Sequence, residues 1–345
     1  MPFKSEYHID IPDTHLATLM FTSPTHPLSD SARLLVDTEQ PDTHFFTPAS
    51  FRLICQRLAL GLQQHGIKPG DRVLYASGNT LLYPVIFVGI IMAGGVFTGA
   101  NPTYVPRELA YQLKDSEPTI FLCAKQILPN GLKAATIAGL APSQIYVVDE
   151  LLNGAMQEGN GCRWWGELLA SEDTARHFAW DPLSAPGEAV NTLLALNYSS
   201  GTTGLPKGVE ITHRNYVANI LQGIHNYKLD KEMAERCIIY LPMYHSLAQR
   251  RIIMSLIQGS EVFIMPKYEL KPLLENIQRF RITTLVMVPP VAVSLAKSPI
   301  VKNYDLSSVR IAGSGAAPLT KEICETIEGI LDNKVAIKQG WGMTE

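Results

Sequence analysis

The 345-residue sequence has no block of like charges, no cysteine pair at CxxC spacing, no internal repeat and no low-complexity tract. Charged residues make up only 18% and the formal net charge is −3. Electrostatic capture of nucleic acid or of an anionic membrane is therefore not indicated. The five cysteines, Cys55, Cys123, Cys162, Cys237 and Cys324, are scattered and odd in number. That argues against a disulfide framework and a zinc site, and fits a reducing, intracellular compartment, cytoplasmic or peroxisomal. Residues 1–10 contain no continuous apolar stretch of the kind a secretory signal needs. The most membrane-like segment, 81–100, contains Pro84, Gly89, Gly94, Gly95 and Gly99 and lacks basic flanks. It reads as a buried helix followed by a turn rather than as a membrane span.

What is present is a globular composition, 46% hydrophobic, with length for about two domains. Short apolar runs alternate with helix-like segments, the pattern of an α/β fold. Thr47-Pro48 reads as a helix start, Ile54, Leu58 and Leu62 recur on one face, and Gly66 fits the stop. Strands are expected at 71–75, 119–122, 144–148, 192–196, 237–241, 261–264, 283–288 and 309–312. Helices are expected through 81–92 and near 108–113. Thr212 can cap a further helix with Val217, Ile220, Leu221 and Ile224 on its apolar face. Polar stretches at 153–161 and 171–188 read as connections. The second divides the chain into two α/β sub-domains, 1–180 and 181–345.

The densest chemistry lies at Tyr198-Ser199-Ser200-Gly201-Thr202-Thr203-Gly204-Leu205-Pro206-Lys207-Gly208, directly after an apolar strand. Glycines let backbone N–H groups approach a ligand closely, and successive N–H groups form a concave anion site. The four hydroxyls add donors and Lys207 adds a point charge, so the loop suits a polyphosphate. A Walker P-loop needs glycine before its lysine and a hydroxyl after it. Here Pro206 and Gly208 occupy those places, which rules that cradle out.

The run 198–209 resembles the signature loop of the adenylate-forming superfamily, which includes acyl-CoA synthetases, luciferases and the adenylation domains of peptide synthetases. Ala93-Gly94-Gly95-Val96 with Gly99-Ala100-Asn101-Pro102, Leu241-Pro242-Met243-Tyr244-His245, Ser314-Gly315-Ala316-Ala317-Pro318-Leu319 and Gln339-Gly340-Trp341-Gly342-Met343-Thr344-Glu345 resemble further motifs of that family, in their 4-coumarate–CoA ligase form. The resemblance implies two stacked αβα sub-domains of an adenylate-forming N-terminal domain. It implies an acyl-CoA ligase: a carboxylate attacks the α-phosphate of ATP, and CoA then displaces AMP from the acyl-adenylate.

By the same resemblance Ser199, Ser200, Gly201, Thr202, Thr203, Gly204 and Lys207 hold the β- and γ-phosphates. Thr344 contacts the α-phosphate, and Glu345 ligates Mg²⁺. Gly315, Ala317, Gln339, Gly340, Trp341, Gly342 and Met343 line the adenine and acyl pockets. His245 stands near the attacking carboxylate, and Lys267 contacts CoA. The partners implied are a small carboxylic acid, ATP and CoA, with no protein partner.

Two departures qualify the resemblance. Plant hydroxycinnamate ligases carry an aromatic two residues after the motif histidine, an asparagine five after it, and a lysine before the Ser-Gly-Ala-Ala-Pro run. Leu247, Arg250 and Gly313 stand there in this sequence. An aliphatic, medium-chain or unusual aryl acid is expected instead of 4-coumarate, in the manner of fungal ligases of secondary metabolism or peroxisomal acid activation. The family's ribose-binding aspartate, hinge and C-terminal lid domain with its lysine lie beyond the position of Glu345. Weak or incomplete ligase turnover is therefore expected of this chain. The competing readings are an amino-acid adenylation domain, for which Ser246, Leu247 and Ala248 supply no amine-binding aspartate, and a non-catalytic ATP-binding protein.

Overall fold

The computed structural model describes residues 7–22, 28–149, 161–199, 204–226 and 235–344. Fourteen strands lie among them: β1 Leu35–Asp37, β2 Phe45–Phe46, β3 Arg72–Ala76, β4 Val96–Ala100, β5 Ile120–Ala124, β6 Ile145–Val148, β7 Arg163–Trp164, β8 Leu193–Ser199, β9 Lys207–Thr212, β10 Arg236–Ile239, β11 Glu261–Ile264, β12 Thr284–Met287, β13 Ile311–Ser314 and β14 Ile337–Gln339. They form two seven-stranded sheets. One has the order β7-β6-β5-β3-β4-β8-β9, the other β14-β13-β12-β10-β11-β1-β2. Pairing is parallel except for the edge hairpins β8–β9 and β1–β2. Among the described connections helices join the parallel strands β3 to β6 and β10 to β14 in turn, so the expected α/β architecture with two sheets is the observed one.

The helix Pro48–Gln64 shows how local sequence sets these elements. Thr47 caps it reciprocally with Ser50: the Ser50 N–H donates to Thr47 Oγ1 at 3.2 Å and the Thr47 N–H to Ser50 Oγ at 2.9 Å. Pro48 occupies the first turn, and Gly66 at φ +92° ends the turn beyond it. The face bearing Phe51, Ile54, Cys55, Leu58 and Leu62 is buried against the helix Leu82–Met92, whose residues are all buried. Gly89 permits the close approach: a Cβ there would lie 2.7 Å from Leu58 Cδ2. The chain then turns at Gly94, φ +83°, into β4. The helix and turn were legible in the sequence, whereas β4 and the return strand β9 were not. No helix among the described residues is long and apolar enough to cross a membrane.

The sheets do not divide at residue 180. β1 and β2 precede it yet lie in the sheet built from β10–β14, while β8 and β9 follow it and complete the sheet of β3–β7. Asn79, buried in the loop after β3, stitches the two sheets together. Its Nδ2 donates to the carbonyls of Leu241 (3.1 Å) and Met265 (3.2 Å), and its Oδ1 accepts the Met243 N–H at 3.0 Å. At the opposite ends of β10–β12, Glu235 is buried with Arg251. It accepts hydrogen bonds from Arg251, Ser260 and Thr284, the last at 2.6 Å. Burial pushes the Glu235 carboxyl up, but Arg251 and the two hydroxyls outweigh it and hold the group ionised below its usual range.

Candidate active site

In open parallel sheets, ligands sit beyond the carboxyl ends of the strands. The motif residues of this chain collect there. β8 ends at Ser199 and β9 begins at Lys207, with Ser199 opposite Lys207 and Tyr198 opposite Gly208 across the hairpin. Gly204, Leu205 and Lys207 are exposed on the returning arm. Ser200, Gly201, Thr202 and Thr203 lie outside the described residues, as does Glu345. Among the described residues, no three or more His, Cys, Asp or Glu side chains converge on a metal position.

His245 follows β10 and caps the helix Ser246–Ile257. Its Nδ1 accepts the Leu247 N–H at 3.3 Å. Desolvation by the surrounding chain lowers its pKa, although the residue as a whole is exposed. A neutral ring with Nδ1 as acceptor carries its proton on Nε2, so the free edge is a hydrogen-bond donor. Beneath it lies a buried polar network. Asn197 of β8 donates from Nδ2 to Gln249 Oε1 at 3.0 Å, the Tyr216 hydroxyl donates to the same oxygen at 2.5 Å, and Gln249 Nε2 returns to the Tyr244 carbonyl at 3.2 Å. The network joins the strand that leads into the glycine-rich loop to the backbone that presents His245.

The second wall comes from β13 and β14. Ala316 takes φ +70°, a left-handed conformation that costs a non-glycine residue energy and is held by its surroundings. The Gly340 N–H donates to the Ser314 carbonyl at 2.8 Å, and the Gln339 carboxamide bonds both ways with the Leu319 backbone at 2.9 and 3.3 Å. A Cβ at Gly315 would lie 3.7 Å from the Gly340 oxygen and 3.9 Å from Leu247 Cδ2. Leu247, Gly315 and Gly340 thus face one another across a narrow gap. Ala317, Gly342 and Met343 are exposed, Thr344 is half-buried, and Trp341 presents 89% of its surface to solvent. A small apolar cavity lies below Leu247, lined also by Ile238, Ile239, Leu241, Ala248, Arg251 and Val286.

Two further positions singled out in the sequence have side-chain partners in the structure. Arg250 is turned toward the helix His213–Asn226: its Nε donates to Asn219, and Gly223 leaves room for the guanidinium. Lys267 lies in the connection after β11, 77% exposed, with its ammonium 2.5 Å from Glu269. The Glu269 hydrogen bond raises its pKa, so the group stays cationic. Sequence reasoning missed Asn79, Asn197, Tyr216 and Gln249. Only their polarity within apolar segments marked them, and nothing local said what they would meet.

The chain matches the family model described as AMP-binding enzyme over residues 31–345. It is 34% identical to 4-coumarate–CoA ligase 3 of Arabidopsis thaliana over 304 residues, covering 87% of this chain and 51% of that protein. It is 33% identical to 4-coumarate–CoA ligase 2 of Oryza sativa subsp. japonica over 314 residues, covering 87% and 52%. The chain thus spans about half the length of the curated relatives it matches. Its fold superimposes on the luciferase-like enzyme of the nonluminescent Zophobas morio mealworm with a TM-score of 0.82 at 21% identity, covering 99% of this chain and 75% of that one. A long-chain-fatty-acid-CoA ligase from Archaeoglobus fulgidus gives 0.81 at 22% identity, covering 99% and 67%. With its glycine-rich hairpin, histidine-capped helix and glycine-walled cleft at one edge of the sheets, the chain belongs to the AMP-binding enzyme family.

Proposed function

We propose that this chain carries the nucleotide- and acid-binding part of an acyl-CoA ligase, which joins a carboxylic acid to ATP as an acyl-adenylate and then passes the acyl group to CoA. The observation that supports this reading best is the shared edge. The glycine-rich hairpin and His245 are tied to one another through Asn197 and Gln249, and the Gly315–Gly340 wall faces Leu247 of the same helix. A nucleotide lying along this edge would meet Lys207 at its β- and γ-phosphates, Thr344 at its α-phosphate and the run 339–343 at its adenine end. ATP enters as its magnesium complex, in which the metal neutralises part of the polyphosphate charge. Chemistry at phosphorus then depends mainly on positioning and charge stabilisation. The Nε2–H of His245 suits a hydrogen bond to the incoming carboxylate, and Lys267 is placed in an exposed loop where a CoA phosphate can reach it.

The acid is one with an apolar tail. Leu247 stands at the cleft, Gly313 carries no side chain, and Arg250 is engaged by Asn219. None of the three carries the aromatic, asparagine or lysine that hydroxycinnamate ligases place there. A pyrophosphate-exchange panel tests this with 4-coumarate against aliphatic acids of six to twelve carbons. Exchange driven by the aliphatic acids supports the reading, and preference for 4-coumarate overturns the substrate class.

A further inference from the structure

The helix Pro106–Ser116 grips both arms of the β8–β9 hairpin. On one arm the Tyr198 hydroxyl, one residue before Ser199, donates to Asp115 Oδ2 at 2.6 Å. On the other the Tyr111 hydroxyl donates to the Pro206 carbonyl at 3.0 Å, directly before Lys207. Tyr111 and Asp115 are four residues apart and share one face of the helix. The opposite face is fixed to the core. Leu109, Ala110 and Leu113 are buried, and Gln112 Nε2 donates to Thr98 Oγ1 at 3.0 Å and to the Gly99 carbonyl at 3.1 Å. Gly208 admits the Tyr198 ring, because a Cβ there would lie 3.2 Å from its Cζ and Oη.

A lysine ammonium is a point charge on a flexible four-carbon stem, so the backbone beneath it decides where it can reach. One tyrosine bond acts on the peptide carbonyl immediately before Lys207. The other holds the strand residue that neighbours its cross-strand partner. We propose that Tyr111 and the Tyr198–Asp115 pair are positioning residues that set Lys207 for the ATP polyphosphate. The inference rests on reading Lys207 as a ligand of the β- and γ-phosphates.

Titration calorimetry of the full chain with magnesium-ATP and with AMP tests it, using Tyr111→Phe, Tyr198→Phe, Asp115→Ala, the Asp115→Ala/Tyr198→Phe pair and Lys207→Ala. Each single substitution on a tether weakens ATP by about five- to tenfold, the worth of one ordinary hydrogen bond. AMP, which lacks the terminal phosphates, binds as it does to the parent chain. The double variant is no weaker than its weaker single, because both report one bond. Equal weakening of ATP and AMP, additive losses in the double variant, or tyrosine variants that match the parent while Lys207→Ala weakens ATP each overturn the inference alone. A parent chain that binds no ATP, or binds it as well after Lys207→Ala, overturns the polyphosphate reading with it. Should Tyr198→Phe misfold, Asp115→Ala reads the same bond from its exposed side.

Discussion

At the scale of single residues, His245 and Glu235 show two uses of a titratable group, one kept neutral and one kept ionised. His245 is kept neutral by its surroundings, and its Nε2–H is the one donor the ring can offer to a carboxylate. A hydrogen bond to a charged group contributes about 1.5–3 kcal/mol. His245→Ala should therefore lower kcat/KM in pyrophosphate exchange by about 10- to 100-fold with little change in AMP affinity. Unchanged exchange would remove the residue from the chemistry. Glu235 is structural: it neutralises Arg251 between β10, β11 and β12. Breaking one partner of a buried pair leaves an uncompensated charge, so Glu235→Gln should cost about 3–5 kcal/mol. Urea denaturation measures it, and a loss within about 0.5 kcal/mol, the range of an ordinary surface change, would show that water reaches Arg251.

At the scale of elements, the helix Pro48–Gln64 is pressed against neighbours on two sides, and its glycine contacts predict unequal effects. A Cβ at Gly61 would lie 1.9 Å from the Leu168 carbonyl oxygen, a backbone atom that cannot swing aside. A Cβ at Gly89, on the facing helix, meets only the Leu58 side chain. Gly61→Ala should destabilise by about 3 kcal/mol or more and Gly89→Ala by roughly 1 kcal/mol, the spread expected of overpacking. Equal urea midpoints for the two would contradict this. The same helix was fully legible in the sequence, because its cap, periodicity and stop are all local. β9 was not. Lys-Gly-Val-Glu-Ile-Thr shows no clean alternation, and both its faces are exposed or half-buried. Only pairing with β8 makes it a strand. β4 was hidden for the opposite reason: buried throughout, it merged with the apolar helix before it. The site motifs were found by their residue types and order. Asn79 and the tyrosine tethers were not, since they act on partners far off in sequence.

At the scale of the whole molecule, the helix Leu16–Thr22 is latched by two histidines whose rings lean against each other. His15 and His213 lie with ring centroids 4.0 Å apart. His15 Nε2 donates to the Ile91 carbonyl, and the ring nitrogens Nδ1 of His15 and His213 accept the Ala17 and Leu16 N–H groups. Burial lowers their pKa values to about 4 and about 2, with only a partial offset at His15 from the Ile91 carbonyl and Asp181. An unfolded histidine titrates near 6.5. Above that pH neither state is protonated and the pair is neutral to stability. Between about 6.5 and 4 the unfolded chain takes up protons that the fold refuses, so stability falls by about 1.4 kcal/mol per histidine per pH unit. Denaturation midpoints at a series of pH values should show this slope, and His15→Gln/His213→Gln should flatten it. A slope the substitutions leave intact would assign the acid sensitivity elsewhere.

The exchange of strands between the two sheets also has a consequence in time. β1 pairs with β11, and the Thr38 hydroxyl beside it reaches the Ile264 carbonyl, 226 residues further along. On the ribosome the apolar run Leu34-Leu35-Val36 emerges long before the edge it will join exists. At a synthesis rate of roughly 5–20 residues per second, it waits on the order of ten to forty seconds. During that interval β2 can cover one of its edges, but the edge meant for β11 stays open and sticky. This nascent segment is where a chaperone has most to shield, and where a slowed messenger would cost the most folded protein.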